Sequence, residues 1–250
     1  MEQPFLFITA RASSRRLPNK ALLMIGAKSV LEHVVDRAKS VRFAKGVVLC
    51  TSTDPADDEL ARIASAMGAV AYRGPLDDKP ARWLGAAQLV GADYFVSYDG
   101  DDLFCDPELM ELAIEQMRDP IDFLRLPEGL VVGGGAVCVS VAALNRLAAL
   151  VPAGFDDPWR YFSEQHSFNV RELSVPDRIF FNDQTRLTLD YSEDLLFFQT
   201  VFRELRMTRN RVPLRDILLY LGAHPDVCAI NLFRQQDYLD NRRRLAGPPV

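Results

Sequence analysis

Through its first two-thirds this chain alternates short apolar runs with amphipathic stretches, and that alternation limits the folds open to it. Phe5 to Thr9, Gly46 to Thr51, Val70 to Arg73, Tyr94 to Tyr98, Phe123 to Leu126 and Ala136 to Ser140 read as strands. Between them Ser29 to Val41, Pro55 to Met67, Lys79 to Val90 and Pro107 to Met117 carry helical periodicity. Strand–helix–strand repetition with short loops predicts a parallel sheet covered by helices on both faces. Asp106 before Pro107 has the order of a helix start, and Gly68 that of a helix end. Further on, Phe168 to Val175, Ile179 to Phe181 and Leu187 to Leu189 look like strands. Ser192 to Arg206, Leu214 to Leu221 and Asp226 to Leu245 look helical. With 250 residues, 48% of them hydrophobic, the chain can bury one large core. The expected organisation is a main domain over residues 1–206 and a helical appendix over 207–250, packed on that domain or at a homodimer interface.

Sheets of this kind bind ligands just beyond the carboxyl ends of their strands. After the first strand comes RASSRRLPNK, Arg11 to Lys20, which supplies Arg11, Arg15, Arg16 and Lys20 as cations and Ser13 and Ser14 as hydroxyl donors. Small residues let successive backbone N–H groups approach an anion, arginine forks match phosphate oxygens, and lysine adds a mobile point charge. A polyphosphate is the expected guest. Gly26-Ala-Lys-Ser29 lacks the glycine spacing of a P-loop, and no G-x-G-x-x-G follows a strand, so P-loop kinases and dinucleotide dehydrogenases are disfavoured. The net charge of -5 argues against a nucleic-acid or anionic-membrane surface and makes the basic loop a local site for a small anion. No apolar stretch approaches the roughly 20 residues of a membrane helix. No signal-peptide pattern opens the chain, so the expected location is cytoplasmic. Cys50, Cys105, Cys138 and Cys228 show no C-x-x-C pair.

Asp99-Gly100-Asp101-Asp102 closes the strand that begins at Tyr94. Three adjacent acids repel one another unless a cation sits among them, and Mg²⁺ takes hard oxygen ligands of this type. Asp190 closes the run from Arg186, whereas Glu193 and Asp194 suit a helix N-terminus. Asp101 and Asp190 are the expected Mg²⁺ ligands, one from each of two strand ends. A metal-dependent glycosyltransferase would use the same acids but leaves the Arg11 to Lys20 loop without a purpose.

The loop resembles the R-x-x-S-x-R-L-P-x-K signature of CMP-sugar synthetases, a family that includes the KDO and acylneuraminate cytidylyltransferases and the spore-coat polysaccharide cytidylyltransferases. Gly26 to Arg37 is similar to that family's following helix, Tyr72 to Asp78 with Arg82 to its R-G-x-x-x-D segment, and Arg186 to Leu195 to its R-L-T-x-D-x-P-E-D-L segment. Gly100 to Pro107 resembles G-D-x-P-L-I-D-P, with Leu103 in place of the first proline. The resemblance implies a three-layer, Rossmann-like α/β fold of the glycosyltransferase-A, nucleotide-diphospho-sugar transferase type. It implies transfer of CMP from CTP to an acidic sugar with release of pyrophosphate. By position, Arg11, Arg15 and Lys20 would bind the triphosphate, Asp101 and Asp190 the Mg²⁺, and Arg73, Asp78 and Arg82 the nucleotide or acceptor. Leu130-Val-Val-Gly-Gly-Gly-Ala136 stands where relatives carry a glycine and an acid for the sugar, and reads as a bulge or a close ligand approach. The acceptor is therefore open between an acidic sugar, whose carboxylate Arg125 or Arg171 would meet, and a phosphonate or sugar phosphate. A non-catalytic nucleotide-binding relative is the remaining alternative.

Overall fold

The computed structural model describes residues 3–118, 120–150, 159, 161–162 and 167–245. Seven strands form one sheet: β1 (Phe5–Thr9), β4 (Gly46–Ser52), β5 (Val70–Gly74), β6 (Tyr94–Asp99), β7 (Phe123–Arg125), β8 (Val137–Ser140) and β9 (Val170–Glu172). Their order across the sheet is β5-β4-β1-β6-β8-β7-β9. β8 runs antiparallel to both neighbours and all other pairings are parallel, so the sheet is mainly parallel. β2 (Met24–Ile25) and β3 (Lys28–Ser29) make a small separate hairpin.

Alternation along the strands divides the core. Leu6 and Ile8, Val47 and Leu49, Val96 and Tyr98 face one cluster. Phe7, Val48, Cys50 and Phe95 face the other. The first face is covered by α1 (Val30–Ala38), α2 (Asp58–Ala66) and α4 (Pro107–Gln116), and the second by α3 (Lys79–Val90) and α5 (Val141–Leu150). Three layers result. Each fully buried aliphatic or aromatic side chain contributes about 1.5–3 kcal/mol to holding them together. Sequence chemistry sets the helix starts: Ser29 and Glu32 form a reciprocal capping box on α1, and Asp106 accepts from the N–H groups of Glu108 and Leu109 on α4.

The later segment departs from expectation. Ile179 to Phe181 is not a strand; Arg178–Phe180 is a 3-10 turn, and Phe181 makes an isolated bridge to Leu130. Leu187 to Leu189 is extended but joins no ladder, because its N–H groups find loop carbonyls instead. α6 (Ser192–Glu204) and α7 (Leu214–Ala223) form as expected. The expected helix from Asp226 to Leu245 is broken into α8 (Pro225–Cys228) and α9 (Arg234–Leu245). Leu214, Ile217, Leu218, Leu221 and Val227 are buried in the same cluster as α1 and α4, so the appendix shares the main core. Its residues 246–250 lie outside the described residues. Among the described residues no helix is long and apolar enough to cross a membrane.

Candidate active site

The strand order reverses beside β1: the chain runs outward through β4 and β5, then returns to β6 on the opposite flank. A crevice opens at such a switch point, at the carboxyl ends of the two central strands. β1 and β6 end in register, Thr9 opposite Asp99, and the Gly100 N–H donates to the Thr9 carbonyl at 2.9 Å. A Cβ at Gly100 would stand 2.9 Å from that carbonyl oxygen and from Ala10 Cβ, so glycine is what lets the two chains leave the sheet together.

The cationic loop starts here and is tied down by a residue outside it. Asp57, just before α2, accepts the Ala12 N–H at 2.7 Å while also holding the Ser52 N–H at 3.0 Å and the Ser52 hydroxyl at 2.5 Å. The loop then folds back, with Ser14 and Asn19 N–H groups both donating to the Ala12 carbonyl. Asn19 adopts a left-handed conformation at φ 56 and delivers Lys20 into the crevice.

Lys20 Nζ lies 2.5 Å from Asp101 Oδ2, 3.0 Å from Asp190 Oδ1 and 2.8 Å from the Leu189 carbonyl. Arg16 Nη2 donates to Asp190 Oδ1, and Arg186 Nη2 to Asp190 Oδ2 at 3.0 Å. Burial alone would lower the Lys20 pKa, but Asp101 and Asp190 outweigh it and hold the ammonium above the ordinary lysine range. Burial likewise favours neutral Asp190, yet Lys20, Arg16 and Arg186 prevail and keep its pKa below the usual carboxylate value. At Asp102, burial followed by the charges of Asp101 and Asp99 pushes the pKa well up.

Asp190 reaches this point on the extended segment that sequence took for a strand. The Leu187 N–H donates to the Val132 carbonyl at 3.0 Å and the Leu189 N–H to the Asp101 carbonyl at 2.9 Å. Gly133 has φ +80, and a Cβ there would lie 2.4 Å from the Leu187 carbonyl oxygen. Gly133 thus makes room for the Leu187 backbone, and Gly134 and Gly135 for the side chains of Val131, Leu214, Leu126 and Leu130, where the sequence suggests a bulge or a close ligand approach. Asp194 Oδ2 caps the Asp190 and Tyr191 N–H groups at 2.8 and 2.9 Å, while its Oδ1 accepts Arg186 Nε at 3.0 Å. Asn231 Nδ2 donates to that Oδ1 at 2.9 Å and to the Arg186 carbonyl at 3.1 Å.

Other expected residues sit around this centre. Arg11 Nη1 donates to the Leu76 carbonyl at 2.5 Å, Arg15 and Ser13 are exposed, and Ser14 Oγ accepts the Leu17 N–H at 3.4 Å. Arg82, 1% exposed, donates to the Pro75 and Leu76 carbonyls; Asp78 caps α3; Arg73 holds the Ser52 and Asp54 carbonyls and pairs with Asp58. These three shape the ends of β4 and β5 and are not among the groups that meet Asp101 or Asp190. Arg125 pairs with Glu172 at 2.6 Å, and Arg171 is exposed on the edge strand β9. Sequence reasoning counted Arg16 only among the loop's phosphate-binding cations, and assigned no role to Arg186 or Asp57. Four cations in one loop look equivalent in sequence, and only the fold selects Arg16 for Asp190.

A family model described as Cytidylyltransferase matches residues 6–128, from β1 through the cationic loop to the stretch beyond Asp101. Over that stretch the chain is similar to the cytidylyltransferase family. It is 26% identical over 236 residues to the spore coat polysaccharide biosynthesis protein SpsF of Bacillus subtilis (strain 168), covering 90% of this chain and 97% of that protein. Among solved structures, it superposes on a cytidylyltransferase from Leptospira borgpetersenii with a TM-score of 0.83 and 23% identity, covering 91% of this chain and 97% of the other. It superposes on a CMP:2-keto-3-deoxy-manno-octonic acid synthetase complexed with CTP with a TM-score of 0.61 and 19% identity, over 81% of this chain and 99% of that one. The solved structures share the nucleotidyltransferase fold. Asp190 and its network lie beyond the stretch that the cytidylyltransferase model matches, in the part of the chain where the sheet has ended.

Asp101 and Asp190 fit a divalent cation. One ammonium nitrogen meets a carboxylate oxygen of each, so both side chains present hard donors to a common point. Among the described residues no group of three or more His, Cys, Asp or Glu is arranged to hold a metal. The pair would therefore need phosphate oxygens and water to complete an ion's coordination.

Proposed function

We propose that this chain is a Mg²⁺-dependent cytidylyltransferase that moves CMP from CTP to an acidic sugar and releases pyrophosphate. The observation that carries the reading is the Lys20 ammonium clasped between Asp101 and Asp190 at the switch point, beside a loop rich in arginine. A structural relative binds CTP and is named for a CMP-linked sugar acid, which favours that donor and that class of acceptor.

In such a reaction an acceptor oxygen attacks the α-phosphorus in line, the bond to the β-phosphate oxygen breaks, and pyrophosphate leaves with the electron pair. Held by Asp101 and Asp190, Mg²⁺ would supply charge neutralisation on the phosphate oxygens. Arg11, Arg15 and Lys20 would bind the triphosphate and stabilise the departing pyrophosphate. Lys20 and Arg16, with Arg186, keep the Asp190 carboxylate ionised, and Arg186 Nη2 donates to its Oδ2. Alignment of donor and acceptor can remove several kcal/mol of barrier, roughly 7–11 at most.

The test is pyrophosphate release from CTP and Mg²⁺ with a panel of acidic sugars. Lys20→Ala and Asp101→Ala are each expected to lower turnover by about 100-fold or more, about 2.7 kcal/mol of transition-state stabilisation, while remaining folded. Turnover within about threefold of wild type in either folded variant refutes the assignment, since that is under 1 kcal/mol.

A further inference from the structure

A lysine ammonium has three N–H donors and no acceptor. Lys20 uses all three on protein oxygens: Asp101 Oδ2 at 2.5 Å, Asp190 Oδ1 at 3.0 Å and the Leu189 carbonyl at 2.8 Å. None is left for a phosphate. Asp190 Oδ1 also accepts Arg16 Nη2, from the same loop, while Arg186 holds Oδ2. A divalent cation takes carboxylate oxygens at about 2.0–2.6 Å, so an ion on Asp101 Oδ2 and Asp190 Oδ1 cannot share that point with the ammonium. We propose, building on the transferase reading above, that Lys20 is a built-in counter-ion, excluding a divalent cation from Asp101 and Asp190 until a nucleoside triphosphate draws the ammonium away.

The surroundings make the two ligands depend on each other. The side chains of Asp190 and Lys20 are 1% and 15% exposed, and a buried charge stripped of its partner is costly. A triphosphate arriving alone takes Lys20 and leaves two acids short of a cation. A cation arriving alone takes the acids and leaves the ammonium only the Leu189 carbonyl. Arriving together, the two exchange one set of pairs for another: the ammonium moves onto phosphate oxygens and the acids onto the cation. Such coupling is reciprocal, each ligand raising affinity for the other by the same factor, commonly about 5–150-fold. The local structure permits the exchange. Lys20 opens a 3-10 turn and its carbonyl accepts the Leu23 N–H, so the main chain is tied while the flexible four-carbon stem can swing. Arg186 is tied to Asp194 as well as to Asp190 Oδ2, so the carboxylate has an anchor when the ammonium departs.

Mn²⁺ titrated into the full chain without nucleotide, with free Mn²⁺ read by electron paramagnetic resonance, tests the exclusion. Lys20→Met is expected to bind Mn²⁺ at least about tenfold more tightly than wild type. Arg15→Met removes an equal charge from the exposed side of the loop and should stay within about twofold of wild type. Unfolding temperatures verify that the variants are folded. Should Lys20→Met unfold, Lys20→Gln, whose amide can still donate to an acid, takes its place with a gain of about threefold or more. Wild-type Mn²⁺ affinity in the folded Lys20 variant, or an equal gain in Arg15→Met, overturns the exclusion. Calorimetric titration with CTP tests the exchange. In EDTA, Asp101→Asn should bind CTP about threefold more tightly than wild type, because one hold on Lys20 is gone. With Mg²⁺ the same variant should bind CTP more weakly than wild type. Equal or weaker binding in EDTA overturns the exchange. Wild type that binds no CTP under either condition, alongside the expected Mn²⁺ gain, overturns the transferase reading instead and leaves the exclusion standing.

Discussion

His33 lies beneath the β2–β3 hairpin with Nε2 2.8 Å from the Ile25 carbonyl and its ring 4.5 Å from that of Phe202. Burial, with a smaller push from Lys28, lowers its pKa against the opposing Ile25 carbonyl, Glu32 and Asp36. The imidazole is thus neutral in the folded protein yet charged in the unfolded chain below about pH 6.5. The unfolded state then binds more protons, so this contribution to stability is complete above pH 6.5 and is lost as pH falls toward the folded value. The slope reaches at most about 1.4 kcal/mol per pH unit for one proton. Glu32 and Asp36 have lowered pKa values and titrate at more acid pH, outside this window. His33→Gln should therefore lose stability less steeply than wild type between pH 7.5 and 5.5, read from urea midpoints. Parallel slopes would remove His33 as the cause. The four cations of the loop divide in the same residue-by-residue way: Lys20 and Arg16 meet acids, Arg11 holds a carbonyl, and Arg15 faces solvent.

Among the elements, the extended segment carrying Asp190 depends on the loop beneath it. Gly133 lies at φ +80, where a side chain costs about 1–2 kcal/mol, and its Cβ would overlap the Leu187 carbonyl. Gly133→Ala must displace the segment, so stability should fall by about 1–3 kcal/mol. Turnover should fall as well, because Asp190 moves with its backbone. Thermal unfolding and pyrophosphate release measured on one preparation decide the matter, and wild-type values in both would contradict it. This segment also marks the limit of what could be read in advance. Leu187 and Leu189 alternate with Thr188 and Asp190 as strand residues do, yet all four side chains are buried, so the pattern does not report which face meets solvent. It cannot report whether the N–H groups meet a neighbouring strand or the carbonyls of Val132 and Asp101. The central strands were legible because their apolar runs are long enough to be buried on both faces. The closeness of Asp101 to the cationic loop followed, since a parallel sheet brings consecutive strand ends to one edge. Asp57 was not legible: in sequence it is one more acid at a helix start, and its role appears only when Ala12 is brought beside it.

Across the whole molecule, the appendix does more than cover the sheet. Arg37 of α1, fully buried, donates to the Cys105 carbonyl at 2.7 Å and the Val212 carbonyl at 2.9 Å, joining the loop after β6 to the approach of α7. Asp106 extends that tie by accepting the Leu214 N–H at 2.9 Å. A second tie runs to the acids themselves. Asn231, after α8, is 0% exposed and bonds both Asp194 and the Arg186 backbone, and Gln235 of α9 accepts from Arg186 Nη1 at 3.3 Å. Arg186 then fixes Asp190. The chain from Asn231 through Arg186 to Asp190 joins the C-terminal packing to the putting-in-place of a carboxylate that the sheet alone does not hold. Asn231→Ala leaves Asp194 Oδ1 and the Arg186 carbonyl each short of a donor and should cost about 1–3 kcal/mol of stability. Below its unfolding range the variant should bind CTP like wild type, because the Arg11 to Lys20 loop is untouched, but turn over more slowly as Asp190 loosens. An unchanged urea midpoint would show that the Asn231 bonds contribute nothing, and slow turnover with equally weakened CTP binding would place the damage in the nucleotide loop instead.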